Sequence, residues 1–276
     1  MLKKIIIKLT GFLKKIRNIK ISKRQQFVAA IFLLTIGLIA TQLVQIEQRS
    51  EMVIGLGVAS FILSLVVLRE DLRGVEYLTL SILPTMFTIA VAFFYFLLPV
   101  RWLTRLPTAI LYALGMYAIL LTENIYNVAA ERSIQLLRAA HSVGFVITLV
   151  TVFLLFETIL SFHLSAYFNS LLIFIVSFLI VLQSLWSMML EPKLTAEITL
   201  GSLVDSLIVA QASFILSFWP INTVIFALFL TTLFYSITGI LQQRIVERLF
   251  SNTLREFLGV AVITFILVVL TTHWGG

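Results

Sequence analysis

The sequence predicts an all-α fold: a polytopic bundle of eight or nine transmembrane helices with its N-terminus in the cytoplasm. Three observations predict it. Of the 276 residues, 60% are hydrophobic and 12% charged, too little charge to cover a water-facing surface. The apolar residues fall in long continuous runs, and a hydrocarbon core about 30 Å thick takes roughly 20 such residues as a helix. Nine basic residues precede residue 25 with no acid among them, a bias that holds an N-terminus on the cytoplasmic side. The runs do not alternate every second residue as barrel strands do. A helix also satisfies each backbone amide within its own segment, which lipid demands.

The arm comes first in the chain. Residues 1–25 hold Lys3, Lys4, Lys8, Lys14, Lys15, Arg17, Lys20, Lys23 and Arg24. Wound as a helix, the arm puts Ile5, Leu9, Phe12, Leu13, Ile16 and Ile19 on one face and most of its lysines on the other. The partner such an arm expects is the anionic inner leaflet, each basic residue contributing about 1 kcal/mol near the surface. The plainer reading is a topology signal alone. Residues 26–276 read as a single transmembrane domain. They carry 11 basic residues, apart from those of the arm, against 13 acids. The net charge of +7 therefore belongs to the arm, and no nucleic-acid partner is expected.

Nine spans follow in order: Phe27–Val44, Met52–Leu68, Tyr77–Leu98, Leu106–Thr122, Ser142–His163, Ala166–Leu190, Thr195–Trp219, Ile221–Leu241 and Phe257–Thr272. The second, fourth and ninth are short, which leaves the count at eight or nine. No A-x-A-like site follows Leu38, so the first span is expected to stay as an anchor. Alternation places Arg69, Arg73, Arg132, Arg138, Lys193, Arg244, Arg248 and Arg255 inside, and Arg49, Arg101 and Arg105 outside. Trp102, Trp219 and Trp274 fall at outer ends and Trp186 near an inner one, where aromatic belts form.

Two inner connections are amphipathic. Glu123–His141 sets Asn124, Asn127, Glu131, Gln135 and Arg138 on one stripe of an interfacial helix, or of an extension of the fourth span. The stripe suits a lipid headgroup or a small polar ligand; its plain reading is a solvated face. Gln242–Phe257 sets Arg244, Arg248 and Arg255 on one face and Ile245, Leu249 and Phe250 on the other. Guanidinium groups pair phosphate bidentately, so this face fits lipid headgroups or inner-leaflet anchoring.

Two acids lie deep in spans. Asp205 stands 14 residues before Trp219, roughly 21 Å below the outer interface. It shares a face with Ser202, Ser206, Ser213 and Ser217, and a stripe of small hydroxylated residues belongs against other helices. This is either a substrate or ion path or a buried hydrogen-bonded acid. Glu157 sits nearer the outer side, at the depth of Arg101, Arg105 and His163, and pairing with one of the arginines is expected.

Chemistry is mostly excluded. With no cysteine there is no disulfide, thiolate or Fe–S site, and His141, His163 and His273 have no ligand spacing, so no metal or cofactor is expected. The sequence lacks H-E-x-x-H, G-x-S-x-G, Walker and G-x-G-x-x-G patterns. Three functions remain. The first is a non-enzymatic structural or accessory component that assembles with other membrane subunits. The second is a small-molecule or lipid transporter using Asp205. The third is an intramembrane enzyme acting on lipid headgroups through Glu131, Arg138 and His141.

The block TENIYNVAAERSIQLLRAAHSVGF, within Leu97–Phe156, resembles an uncharacterised family of bacterial multi-spanning membrane proteins. The resemblance covers about a fifth of the chain. It implies a bacterial cytoplasmic-membrane location and carries no functional residue.

Overall fold

The computed structural model describes residues 22–44, 48–69, 74–98, 102–130 and 135–272. Among them are nine helices and no strand. They are α1 Lys23–Thr41, α2 Arg49–Leu68, α3 Glu76–Leu97, α4 Trp102–Ala129, α5 Leu137–Ser161, α6 Ala166–Met189, α7 Ala196–Leu216, α8 Thr223–Ile245 and α9 Ser251–Thr271. Each is long and apolar enough to cross a bilayer. All but the last few residues of the basic arm lie outside the described residues.

Local chemistry sets several ends. Ser22 caps α1: its side chain accepts from the Gln25 N–H while the Gln25 side chain accepts from the Ser22 N–H, a capping box. Thr195 accepts from the Ile198 N–H at the start of α7, and Asn222 from the Val224 N–H at the start of α8. At the end of α6, Leu190 is left-handed (φ 52°), and the Trp186 indole donates to the Glu191 carbonyl at 2.8 Å.

Two expected connecting helices are corrected. Of the two readings of Glu123–His141, the extension of the fourth span holds as far as Ala129, while the interfacial helix does not form: α5 begins at Leu137, five residues before the expected Ser142. The stripe is thereby split between two helices. Asn127 turns into the bundle, fully buried, while Gln135 and Arg138 are exposed on the far side of the connection. Glu131 lies outside the described residues. The physical reason is burial: once Glu123 and Asn127 have partners on neighbouring helices, the helix that carries them can stay in the bundle.

Gln242–Phe257 is broken as well. The Arg248 N–H reaches back to the Gln243 carbonyl at 2.8 Å, and Glu247 adopts a left-handed conformation (φ 55°) that turns the chain. Arg244 therefore lies in the last turn of α8, Arg248 sits in the turn and Arg255 lies in α9, all exposed but on no common helical face.

The interior has two centres. One gathers Leu34, Leu38, Tyr112 and Met116 among α1 to α4; the other gathers Phe156, Trp186 and Phe234 among α5 to α8. Helix α5 joins them, packing on α3, α4, α6 and α8. Pro84 interrupts the hydrogen-bond ladder of α3, and its carbonyl accepts from Thr88 (2.8 Å) and from Ser60 of α2 (3.2 Å). The Thr88 hydroxyl also meets the Tyr112 hydroxyl of α4 at 3.0 Å, so three helices are tied at the proline. Helix α9 is peripheral: Val268 is its one buried residue, and its close approach is to α8, where Phe257 covers Gly239. The many exposed large apolar side chains, such as Phe32, Leu111 and Ile263, are the surface that lipid covers.

Candidate functional site

Asp205 is fully buried, and so are Ser202, Ser206 and Ser213. The serine stripe anticipated from helical spacing exists, and it faces helices: α7 packs against α6 and α8. The Thr238 hydroxyl of α8 donates to Asp205 Oδ2 at 2.5 Å. Ser202 and Ser206 spend their hydroxyls on their own helix, donating to the Ile198 and Ser202 carbonyls at 2.7 and 2.8 Å. Asp205 Oδ1 and Ser213 Oγ are buried with no hydrogen-bond partner. Glu157 accepts from Ser161 at 3.3 Å, a neighbour one turn along its own helix. Arg101, one of its expected partners, lies outside the described residues.

A larger polar centre lies where α2, α4, α6 and α8 end and α5 begins. Glu123 of α4 is fully buried, and its Oε1 accepts from Gln183 Nε2 of α6 at 2.8 Å. One turn on, Asn127 Nδ2 donates to the Leu68 carbonyl at the last residue of α2, 2.9 Å away. The Tyr126 hydroxyl donates to the Ala140 carbonyl of α5 at 3.0 Å. His141 Nε2 lies 2.9 Å from the Ser187 carbonyl of α6. A carbonyl only accepts, so Nε2 carries the hydrogen there. Gln242 of α8 donates to Ser184 Oγ of α6 at 2.8 Å. Five helices thus meet through side-chain hydrogen bonds, which in lipid hold helices together where apolar contact gives no preference over lipid tails.

Among these residues is a cavity of about 10 Å³, lined in part by Tyr126, His141, Thr148, Gln183 and Gln242. That is the volume of about one water. Packing here is tight: a Cβ on Gly144 would stand 2.6 Å from the Tyr126 hydroxyl oxygen. A separate apolar cleft of about 550 Å³ lies between α3, α4 and α5, lined by Phe87, Leu111, Gly115 and Ile147 among others.

Sequence reasoning missed most of this centre. Glu123, Tyr126, Gln183, Ser184, Ser187 and Gln242 were not singled out as its members. The signal for Glu123 was available: Met116, Ile119, Glu123 and Asn127 keep helical spacing on one face, so the period continues past Thr122 where the apolar run stops. His141, expected at the surface beside Arg138 and Glu131, turns inward to Ser187, and its ring lies 5.4 Å from that of Tyr126, tilted by 31°.

Nine apolar helices joined by short connections, with polar side chains spent between helices, define a multi-pass helical membrane protein. Residues 52–271 match the model of the family described as "Protein of unknown function (DUF5656)", and the chain belongs to that family. No curated protein and no solved structure matches it.

Proposed function

We propose that this protein is a non-enzymatic component of a membrane assembly, held as a stable helical scaffold in a bacterial cytoplasmic membrane. The observation that carries the reading is the Asp205–Thr238 hydrogen bond, which spends the deepest acid of α7 on a helix contact. Glu123 and Gln183 make the same kind of tie between α4 and α6. An acid used as a fastener needs no substrate to account for its presence in the bilayer. The basic arm adds attachment to anionic inner-leaflet lipids, and the exposed arginines 244, 248 and 255 meet headgroups near the same surface.

The test is purification of the full chain from its native membrane in a mild detergent. A stoichiometric complex with another membrane protein, resistant to washing, is the expected result. A monodisperse, partner-free protein that converts a lipid overturns the proposal.

One observation favours a second reading, transport along α7: Asp205 Oδ1 and Ser213 Oγ are buried without partners. Proton-driven uptake in proteoliposomes that Asp205→Asn abolishes would put that reading first. Flux unchanged by the substitution removes Asp205 from any path.

A further inference from the structure

Three side-chain oxygens on a single stretch of α4 are buried and meet no hydrogen-bond donor: Glu123 Oε2, Asn124 Oδ1 and Asn127 Oδ1. Positions i, i+1 and i+4 span about 100° of a helix, with the i and i+4 side chains about 5–6 Å apart at Cβ, so the three form one contiguous patch. Two of the three are held in place from the other side. Gln183 occupies Glu123 Oε1, and the Leu68 carbonyl, which can only accept, fixes the Asn127 amide with its nitrogen toward Leu68 and its oxygen away. These oxygens therefore cannot turn to find donors without breaking bonds between α4, α6 and α2.

A buried acceptor without a donor is unfavourable, because it has lost its water and gained nothing in return. A cation relieves all three at once. Carboxylate and amide oxygens are hard ligands, the set that alkali and alkaline-earth cations take. The charge decides between them. One carboxylate and two neutral amides carry −1, so a monovalent ion leaves the buried site neutral and a divalent ion leaves it charged, which burial disfavours. Asn127 also lies in the last turn of α4, where the helix dipole is negative and favours cations. We infer that Glu123, Asn124 and Asn127 of α4 bind a sodium-sized monovalent cation beside the contacts of α4 with α2 and α6. This goes beyond the scaffold reading and does not depend on Asp205.

The experiment uses the purified full chain in detergent at fixed ionic strength, with sodium chloride exchanged for choline chloride, read by calorimetric titration and thermal unfolding. Saturable sodium binding and a higher melting temperature in sodium are expected, with affinity at least 10-fold weaker in Glu123→Gln. Asn124 is only partly buried, so Asn124→Asp keeps the fold if Glu123→Gln does not. It raises the ligand charge to −2 and should shift preference from sodium to calcium, a change of selectivity that a merely structural residue does not produce. Absence of saturable sodium binding overturns the proposal. So does sodium binding equal in wild type and Glu123→Gln, or an Asn124→Asp variant with unaltered selectivity. Stability that follows pH and ignores sodium also overturns it, because Glu123 then holds a proton and no metal ion.

Discussion

Thr238 donates to the Asp205 carboxyl from the facing helix, and no other hydrogen bond to that carboxyl occurs among the described residues. Thr238→Val keeps the shape and deletes the donor, so it should destabilise the protein by about 1–3 kcal/mol. Asp205→Asn still accepts from Thr238 and should cost less, and thermal unfolding of both variants in detergent checks the order. Gly144 is small because Tyr126 needs the space. Gly144→Ala should displace the Tyr126 hydroxyl from the Ala140 carbonyl and cost about 1–3 kcal/mol through overpacking, read in the same melts. Asp205 was legible in the sequence because its serine neighbours recur at helical spacing. Glu123 was not, because depth was counted from the end of an apolar run, and a buried acid itself ends such a run.

Helices differ in how much of their surface the bundle uses. Helix α5 touches four others, whereas α9 contributes one buried side chain and rests on α8. Buried apolar area and interhelical hydrogen bonds carry helix association in lipid, so the two should differ in consequence. A chain ending at residue 250 should keep a cooperative melt followed by circular dichroism, while loss of residues 137–161 should abolish it. Both apolar runs are visible in the sequence, although the shortness of the ninth is part of what left the count at eight or nine. Their rank is not, because lipid and protein neighbours both accept leucine, and hydropathy reads them alike. The same ambiguity explains the extension of α4: a polar residue facing a polar neighbour is as much inside the bundle as an apolar one.

The described residues hold nine helices long and apolar enough to span a bilayer, and if each crosses once, positions before the first and after the last should lie on opposite sides of the membrane. Because the chain has no cysteine, single cysteines can report this without background. A cysteine at position 10 should resist an impermeant maleimide on intact cells, and one at position 274 should react. Labelling of both from outside would contradict nine spans with an interior N-terminus. The sequence by itself determined the apolar surroundings, the helical class and the places of the long apolar segments, with their count left at eight or nine. Those follow from composition and from the length a hydrocarbon slab imposes, which are sums along the chain. Only the tertiary structure decided which polar groups meet: Glu123 with Gln183, Asn127 with the end of α2, Asp205 with Thr238. Such partners are 33 to 60 positions apart, and hydrogen bonding depends on a fraction of an ångström in space that no local pattern encodes.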